Sequence, residues 1–573
     1  MLLESPYKPR DTPSSIAHLF VERAVAHPDQ PFLRRRAADG SWDGVTYAEM
    51  ERMARAVAAW LLECGLDRTG GVVILSGNSI EHAAMMLGCY LSATPSTALS
   101  QAFSMAGSDF GKLRHCFSVI RPKAVFVQSG RVFGAALDEL RAIDPDVRII
   151  AVDDADGLDL SFGAILAGKW QGDVDAAFSA IGDRTIAKYL FTSGSTGMPK
   201  AVPQTHGMMA AMVGARHGLM RDPDERLPGI ALDWMPWSHL SAGNIGFNHN
   251  IWAGGTLYLD DGRPVGAAFA ETVRNIAELS PPTFSSAPIA FEMLAGALEA
   301  DTSLAAAFFL NLRWMAYGGA ALSQDVADRL QRLAAATVGY RVPIVTTYGA
   351  TEVQGITTVH WATDRVGLLG LPLPGVTLKL APVDGKLEVR VKGPTVMQGY
   401  SGNETVNAGA FDEEGFYRLG DAARLVDPGD PAEGLLFDGR ISEDFKLSSG
   451  TWVSVGTLRT AMIAAASPYV LDAVITGHDK PYVGALIWVS AEMATAPDLR
   501  ERLRTRLRDF NAAQGGSSRR IDRLLIEPEP PSIAAGETTE KGYINQRAVL
   551  ARRAAQVARL HAAEPDPEVM LVG

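Results

Sequence analysis

The sequence predicts an α/β protein: a large N-terminal domain of layered strands and helices with a small β-rich subdomain, and a small, mobile α+β C-terminal domain. Apolar runs of strand length, such as 71–75 and 124–127, alternate with helical stretches, which is the pattern of parallel sheets covered on both faces. Residues 375–400 alternate apolar and polar positions, as half-buried strands do. Near Arg440 the pattern changes, so we expect a domain boundary there.

Helices and strands are expected in regular order through the first half of the chain. Ser14 and Ser15 can cap a helix that follows with apolar residues at helical spacing, and Gly65 is suited to end the second helix. The segment 92–116 begins polar and irregular, so we expect it to run over the surface. The elements expected here are helices at 16–27, 47–64, 81–93 and 131–142 and strands at 42–47, 71–75, 124–127 and 147–152.

The second half continues the alternation and then divides. We expect an N-terminal domain over 1–439, a hinge over 440–446 and a C-terminal domain over 447–573, with a loose tail from 563 onwards. The elements expected here are helices at 206–217, 265–280 and 498–511, strands at 229–237, 254–259, 283–286, 470–475 and 483–489, and strand–helix pairs between 312 and 350.

Composition limits the classes of function. The 573 residues carry a formal net charge of −12, which argues against nucleic acid as the main partner, because backbone phosphates require clustered Lys and Arg. Cys64, Cys89 and Cys116 match neither a zinc site nor a disulfide framework, which indicates a reducing compartment. The sequence shows no signal peptide and no membrane span, so we expect a cytoplasmic protein. Its oligomeric state stays open, a homodimer included.

The most informative stretch is 189–202, which reads YLFTSGSTGMPKAV. Its glycines let backbone N–H groups approach a ligand, its hydroxyls add donors and Lys200 adds a cation, which together make the chemistry of a phosphate cradle. It is not a Walker loop, because Met198 and Pro199 separate Gly197 from the lysine. A ligand-free Ser/Gly turn between strands is the alternative for a short loop of this kind.

A second motif, TYGATE, runs from Thr347 to Glu352. Gly349 permits a turn after a strand, and the carboxylate of Glu352 is the kind of ligand that Mg²⁺ uses together with nucleotide phosphates. The ring of Tyr348 can pack on a purine. Taken alone, the hexapeptide is more simply a strand-to-loop junction with an exposed glutamate.

For three single residues, the surrounding sequence alone does not decide between a functional and a purely structural role. Asp421, in YRLGD, can accept two ribose hydroxyls or be an exposed turn residue. His239, in WMPWSH, is by itself most simply a satisfied core or surface histidine. Lys541, in GETTEKGYIN, can neutralise developing negative charge or be a solvated surface lysine.

Taken together, these motifs resemble those of the acyl-adenylate-forming superfamily of acyl-CoA synthetases, adenylation domains and luciferases, from residue 14 to about 550. The resemblance implies ATP, Mg²⁺, coenzyme A and a small carboxylic acid as ligands, and makes the C-terminal domain a lid. It implies ATP or AMP binding by Thr192, Ser193, Gly194, Ser195, Thr196, Gly197, Lys200, Gly318, Gly319, Ala320, Thr347, Tyr348, Gly349, Thr351, Asp421 and Arg440. It implies an acyl pocket at His239, Ser241, Asn244, Gly318 and Gly349, metal ligation by Glu352 and Thr196, and catalytic roles for Lys541, His239, Thr196 and Glu352.

The chain departs from the superfamily pattern near the hinge. Lys386 stands where a glutamate is usual, and Ser442 where Asp or Lys is usual, so Ser442, Glu443 and Asp444 are all hinge candidates. The resemblance implies CoA or hinge contacts at Ser442, Glu443, Lys446, Ser449, Gly450 and Trp452. The strings at 110–117, 443–459 and 538–550 are similar to those of feruloyl-CoA synthetases, bacterial enzymes that activate hydroxycinnamic acids.

The implied activity is that of an AMP-forming acid–thiol ligase on a ferulate-like aromatic acid. Three alternatives stay open: an adenylating enzyme that loads a carrier-protein thiol, an acyl-CoA ligase for fatty acids, and a non-enzymatic nucleotide or acyl sensor. The presence of Glu352, Asp421 and Lys541 argues against the sensor.

We predict that Lys541→Ala separates the two half-reactions of such a ligase. The lysine cation is needed when two anions, the carboxylate and the α-phosphate, are brought together, and has little to do when a thiol meets a neutral carbonyl. Adenylation, followed as pyrophosphate release, should fall by ~10²–10³-fold, the usual loss for one preorganised electrostatic contact. Thioester formation from supplied acyl-adenylate should fall far less. Equal losses in a folded variant would show that the lysine does not act in the first step.

Overall fold

The structure is a computed structural model. It describes residues 1–66, 71–105, 107–192, 198–220, 229–319, 322–383, 385–489, 491–532, 535–538, 544–564 and 566–572. None of the helices in these ranges combines the length and the apolar character needed to cross a bilayer.

The described residues up to Arg440 form a ten-stranded, a seven-stranded and a four-stranded sheet. Those after Arg440 form a second four-stranded sheet and a short hairpin. In spatial order, the ten-stranded sheet consists of Leu2–Glu4, Thr377–Val383, Lys386–Lys392, Tyr417–Asp427, Asp430–Arg440, Leu368–Pro372, Gln354–Thr358, Ile344–Ala350, Trp314–Tyr317 and Thr283–Ser286. The seven-stranded sheet consists of Lys200–Thr205, Ile186–Thr192, Ser96–Ala98, Val72–Leu75, Ala124–Ser129, Arg148–Asp153 and Leu160–Ser161. One four-stranded sheet consists of Ile230–Asp233, Thr256–Leu259, Pro31–Arg36 and Trp42–Thr46, and the other of Val470–Thr476, Gly484–Val489, Arg523–Ile526 and Met570–Leu571. A short hairpin pairs Phe445–Lys446 with Trp452–Val453.

Helices cover these sheets and connect their strands. The described α-helices are Ile16–Ala26, Tyr47–Glu63, Ile80–Leu91, Gly111–Ile120, Gly134–Ile143, Phe162–Ala167, Val174–Ser179, His206–His217, Phe247–Ala253, Phe269–Leu279, Pro288–Ala300, Thr302–Phe309, Gln324–Val338, Glu404–Ala410, Val455–Ala465, Ala491–Ala494, Leu499–Ala512, Gln546–Arg552 and Ala554–Leu560. Short 3₁₀ turns lie at Gln101–Phe103, Gly266–Ala268, Ile441–Glu443 and Ser517–Arg519, and a π-helix at Ser241–Gly246.

Local signals placed several helix ends correctly. Ser15 caps the first helix by accepting a hydrogen bond from the His18 N–H, as expected. Thr46 and Glu49 form a reciprocal capping box at the start of the next helix. Gly65, with a φ of +68°, follows the end of that helix in the left-handed conformation that glycine adopts readily.

The parallel arrangement expected from alternating strands and helices is confirmed in the seven-stranded sheet. Val72–Leu75 is buried along its whole length and pairs in parallel with Ala124–Ser129. The expectation for 92–116 was wrong at its start, because Ser96–Ala98 is a buried strand between Val72–Leu75 and Ile186–Thr192. Its small hydroxyl and alanine side chains fit a crowded sheet centre, and such residues carry little strand signal.

The strand Pro31–Arg36 was also missed by the sequence analysis. Its arginines mask it, yet it pairs antiparallel with Trp42–Thr46. Arg36 lies along that edge with its guanidinium 3.9 Å from the centre of the Trp42 ring, and its Nη2 donates to Asn275 Oδ1 at 2.7 Å. Trp42, Asn275 and Glu278 together satisfy this guanidinium, so charge alone does not exclude a strand.

The C-terminal residues have a hydrophobic core of their own, which includes buried side chains from Phe445 to Val572. The expectation of a loose tail from residue 563 onwards was wrong. Met570–Leu571 pairs antiparallel with Arg523–Ile526, and Val572 is fully buried. Arg508 Nε donates to the Val572 carbonyl at 2.8 Å, so the helix beside the tail holds it by its backbone.

A buried ion network lies beneath this sheet. Arg553 Nη1 is 2.6 Å from Glu527 Oε2, and Arg553 Nε is 2.8 Å from Glu537 Oε1, with all three side chains at most 6% exposed. The hydrogen bond from Arg553 lowers the pKa of Glu537 despite its burial. This stabilisation is therefore present above the unfolded-state pKa and is lost as the pH falls through the lower folded-state value.

We predict that Arg553→Met destabilises the C-terminal region by about 3–5 kcal/mol, because it leaves the buried Glu527 without its cation and Glu537 with only the half-exposed Arg552 at 3.8 Å. Arg502→Met is the matched control: its ion pair with Asp498 is about half exposed, so the loss should stay below about 1 kcal/mol. Hydrogen exchange of the strands Val470–Thr476 and Gly484–Val489 measures both effects. Equal effects of the two substitutions would contradict the assignment of Arg553 as a structural ion.

Candidate active site

A cleft opens where the parallel strands of three sheets end at their carboxyl side. Ser286, Tyr317 and Ala350 end strands of the ten-stranded sheet, and Asp233 ends a strand of the neighbouring sheet; all line the cleft. Such edges are where open α/β sheets bind ligands, because the connecting loops diverge there. The expected site residues that line the cleft are His239, Ser241, Gly318, Gly319, Thr347, Tyr348, Gly349, Thr351, Asp421, Arg440, Ser442 and Glu443.

Asp421 is held between a phenol and a guanidinium. Tyr348 Oη donates to Asp421 Oδ2 at 2.6 Å, and Arg440 Nε lies 3.3 Å from Asp421 Oδ1. Asp421 and Arg440 are Cα partners in an antiparallel pair, so the backbone fixes the contact. Burial raises the pKa of Asp421, while the charge of Arg440 and the Tyr348 hydrogen bond act to lower it. Asp421 is thus a hydrogen-bond acceptor held in a fixed position, and the charge of Arg440 favours its ionised form.

Glu352 lies in a network of tyrosine hydroxyls rather than at an exposed junction. Tyr400 Oη donates to Glu352 Oε1 at 2.8 Å and lies 2.8 Å from Tyr417 Oη. Lys200 Nζ stands 4.2 Å from the centre of the Tyr400 ring. One aromatic ring therefore joins the lysine of the first motif to the carboxylate of the second, a connection that neither motif indicated.

The residues present fit a magnesium ion that is held mainly by a nucleotide. The described residues contain no group of three or more His, Cys, Asp and Glu side chains that could hold a metal by themselves. The carboxylate of Glu352 is buried and makes no ion pair within the described part of the chain. Mg²⁺ typically uses one or two carboxylates together with substrate phosphates, which this arrangement allows.

The segment after Asp233 forms the other wall of the cleft. Asn78 accepts from the Trp237 N–H at 3.0 Å and donates to the Met235 carbonyl at 2.8 Å, which fixes the chain just before His239. The chain then enters the π-helix Ser241–Gly246, an uncommon geometry that often occurs at functional sites. His239 and Ser241 line the cleft as expected.

Asn244 lies behind this wall, and its position depends on Gln204, which the sequence analysis did not single out. Gln204 Nε2 donates to the Thr351 carbonyl at 2.9 Å, so its Oε1 accepts from Asn244 Nδ2 at 2.9 Å. Gln354 Nε2 donates to the same oxygen. Nothing in the local sequence of these residues indicated the cluster, since it joins three distant segments.

A buried lysine supports the π-helix from below. Lys188 Nζ donates to the Gly243 carbonyl at 2.8 Å, and burial lowers the pKa of this lysine to about 7. Lys188 thereby links the strand Ile186–Thr192 to the π-helix. The structure thus gives Lys188 a positioning contact beneath the wall of the cleft.

The hinge candidates lie together, and the unusual Lys386 contacts one of them. Lys386 forms an ion pair with Asp444, and its Nζ also donates to the Asp438 carbonyl at 2.6 Å. Beyond them, Lys446 and Trp452 face each other across the short hairpin, with Lys446 Nζ 5.0 Å from the Trp452 ring centre. The remaining residues of the group are Ser449, whose Oγ lies 2.9 Å from Thr451 Oγ1, and Gly450, with a φ of +81°.

Several expected site residues lie outside the described residues. They are Ser193, Gly194, Ser195, Thr196, Gly197, Ala320 and Lys541. The flanks of the first motif are described: Thr192 and Lys200 are Cα partners at the ends of the antiparallel strands Ile186–Thr192 and Lys200–Thr205.

Comparison with known proteins identifies the family. A family model described as AMP-binding enzyme matches residues 20–401. The chain belongs to the AMP-binding enzyme family. A second model, described as AMP-binding enzyme C-terminal domain, matches residues 446–565. Membership in the adenylate-forming superfamily, expected from the motifs, is thereby confirmed.

Relatives of this family member differ in the acids that their names specify. The chain is 24% identical to a long-chain-fatty-acid–CoA ligase of Mycobacterium bovis, over 96% of this chain and 97% of the relative. It is also 24% identical to 4-coumarate–CoA ligase 2 of Oryza sativa, over 90% of this chain and 89% of the relative. The solved structure of the anthranilate CoA ligase AuaEII in complex with anthranoyl-AMP matches with a TM-score of 0.75 at 18% identity, covering 95% and 98% of the two chains. This likeness confirms the expected α/β fold class with a smaller C-terminal domain.

We predict that Arg440→Gln makes AMP binding sensitive to acid at a higher pH than in the wild type. Without the guanidinium, burial raises the pKa of Asp421 further, so the carboxylate is protonated earlier as the pH falls. Calorimetric titration of AMP across a pH series measures the shift. As a control, Arg418→Gln removes an exposed arginine from the strand that carries Asp421, Tyr417–Asp427, and should leave the pH profile of AMP binding unchanged. An unshifted profile in Arg440→Gln would contradict an ionised Asp421 in nucleotide binding.

Proposed function

We propose that this AMP-binding family member is an ATP-dependent acid:CoA ligase that works in two steps. The carboxylate of the acid attacks the α-phosphorus of ATP, which forms an acyl-adenylate and releases pyrophosphate. The thiol of coenzyme A then attacks the adenylate carbonyl, which forms the thioester and releases AMP. The proposal is carried by the position of Asp421. Tyr348 and Arg440 hold its carboxylate at the cleft that lies beside the carboxyl ends of the parallel strands.

The positions of the described residues support the following roles. Asp421 accepts the ribose hydroxyls, and the charge of Arg440 favours the ionised form of its carboxylate. Glu352 contributes the carboxylate for Mg²⁺, which offsets phosphate charge when bound, and Lys200 supplies a cation beside it. The hydroxyl of Tyr348 is fixed by its hydrogen bond to Asp421, and its ring lies 6.3 Å from the Phe437 ring, measured between centres. The ring of Tyr348 gives the adenine a flat surface to pack on.

The remaining roles rest on the sequence resemblance. Thr192, with Ser193 to Gly197, holds the phosphates, and Thr196 joins Glu352 at the metal. Lys541 acts in adenylation, and His239 lies near the acid. We place the N-terminal domain at 1–439, the hinge at 440–446 and a moving lid at 447–573, with CoA approaching near Lys446 and Trp452.

The proposed acid is a hydroxycinnamic acid of the ferulate class. The resemblance to feruloyl-CoA synthetases supports this choice, as does the mixture of polar and aromatic side chains at 237–244. A long aliphatic chain placed against such a wall leaves buried polar groups without partners, which is unfavourable. The fatty-acid ligase among the relatives supports the alternative of a long-chain acid, and carrier-protein loading is the second alternative.

We predict a higher kcat/KM for ferulate than for palmitate, measured as AMP release with ATP, Mg²⁺ and coenzyme A. A higher value for palmitate refutes the aromatic assignment and leaves the ligase assignment intact. Replacement of coenzyme A by a carrier protein distinguishes the two thiol acceptors by their products. Absence of acid-dependent exchange between ATP and pyrophosphate, across aromatic and aliphatic acids, refutes enzymatic adenylation altogether.

A further inference from the structure

One lysine joins the N-terminal domain to the residues around the proposed hinge. Lys386 begins the strand Lys386–Lys392 of the ten-stranded sheet. Its ammonium group forms an ion pair with Asp444, and Nζ donates to the Asp438 carbonyl at 2.6 Å and to Ser454 Oγ at 2.7 Å. An ammonium group has three donors, so these acceptors use all of them. The acceptors lie before, within and after the hinge at 440–446, and a single side chain therefore connects the two domains.

The ion pair between Lys386 and Asp444 is shielded from water. Their side chains are 15% and 7% exposed, respectively. Asp444 Oδ1 also accepts from the Val455 N–H at 2.9 Å, so the same carboxylate holds the first residue of the helix Val455–Ala465. Separation of a buried pair leaves each charge uncompensated, which is costly. The pair therefore favours the arrangement in which this helix stays beside the strand that carries Lys386.

Two glycines allow the same helix to approach the last residues of the N-terminal domain. A Cβ added to Gly456, the second residue of the helix, would lie 2.7 Å from Gly439 Cα, which leaves no room for a side chain. Gly439 itself has a φ of +86°, in the left-handed region that favours glycine. Thr457 Oγ1 adds a hydrogen bond to Asp438 Oδ1 at 3.1 Å. The helix thus docks at one defined place on the N-terminal domain.

The docked helix decides which part of the C-terminal domain faces the cleft. Thr538 and Ile544 form a β-bridge with each other and line the cleft. In the sequence they flank the stretch that contains Lys541. None of the described residues 445–453, the hairpin proposed for CoA, lines the cleft, and Trp452 in this hairpin is 44% exposed. The domain is therefore oriented with its adenylation side, and not its CoA side, at the cleft.

We infer that Lys386 is a positioning residue for adenylation, because its contact with Asp444 holds the C-terminal domain in the orientation in which Thr538 and Ile544 line the cleft. This contact must open before Lys446 and Trp452 can reach the cleft. A glutamate, which is usual at position 386 in the superfamily pattern, would repel Asp444 and could not donate to the Asp438 carbonyl. The effect on rates rests on the proposed ligase function, whereas the docking itself does not depend on it.

The deciding variant is Lys386→Met, which keeps the length of the side chain and removes its charge and its donors. Pyrophosphate release follows adenylation, and thioester formation from supplied acyl-adenylate and coenzyme A follows the second step, with whichever aromatic or aliphatic acid the wild type accepts. Adenylation should fall by ~10–100-fold, the shift in an equilibrium that charge-assisted hydrogen bonds produce when they are lost. Thioester formation should be unchanged or faster, since the contact no longer has to open.

The matched control is Lys392→Met, on the same strand. Lys392 is exposed, and its Nζ donates to the Glu414 carbonyl at 3.0 Å within the N-terminal domain, so its loss should change neither half-reaction. Asp444→Asn removes the charge from the other side of the contact and keeps an oxygen for the Val455 N–H. It should reproduce the effect of Lys386→Met, and the double variant should lose little more, because both substitutions break one interaction.

Hydrogen exchange in the absence of substrates measures the contact independently of turnover. In Lys386→Met and in Asp444→Asn, the amides of 438–440 and of the helix Val455–Ala465 should exchange faster than in the wild type. The strand Val470–Thr476 lies in the core of the same domain and should keep its protection. Faster exchange of that strand as well would show a general loss of stability and would overturn the positioning role.

The outcomes separate the inference from the ligase assignment. Faster exchange confined to the contact, in a protein whose wild type releases no pyrophosphate with any acid, supports the docking and refutes the ligase. A working ligase whose two half-reactions fall equally in Lys386→Met, or do not change, overturns the inference and leaves the ligase intact. Unchanged hydrogen exchange in both variants also overturns the inference.

Discussion

The continuity of the ten-stranded sheet is the constraint on which the candidate site depends. Tyr348 lies near the end of the strand Ile344–Ala350 in its parallel half, whereas Asp421 and Arg440 belong to an antiparallel pair, and Tyr348 is 73 residues from Asp421 in the chain. The strands Gln354–Thr358 and Leu368–Pro372 connect the two halves by backbone hydrogen bonds. A contact fixed by a sheet is more precise than one carried by loops, since few torsions lie between the groups.

This rigidity explains how a buried carboxylate stays useful. Desolvation alone favours the protonated form of Asp421, which is a poorer acceptor for hydroxyl groups. Arg440 opposes that effect from the neighbouring strand while its own side chain remains 62% exposed. The carboxylate in turn stabilises the cation: desolvation acts to lower the pKa of Arg440, but the charges around it, that of Asp421 foremost, outweigh desolvation and raise this pKa. Tyr348 completes the arrangement by donating to the other oxygen.

Sequence reasoning succeeded where the signal is local. Helix His206–His217 and strand Thr283–Ser286 have the predicted bounds, because their apolar spacing and caps lie within a few neighbouring residues. It failed at Ser96–Ala98, whose burial is imposed by the strands on either side, and at Met570–Leu571, which is held by a distant helix and strand. The motif residues of the cleft were found by pattern, whereas Gln204 was missed because its partners lie in two other segments, at Asn244 and at 351–354.

The contrast between two arginines shows how structural and functional charges differ in one molecule. Arg553 meets two carboxylates and is fully accounted for by its own domain. Arg216 lies among methionines, amides and a neutral histidine, with no carboxylate in the described part of the chain to balance it. The described residues thus provide two carboxylate partners for Arg553 and none for Arg216. The described fold therefore neutralises the charge of Arg553 and leaves that of Arg216 without a counter-ion.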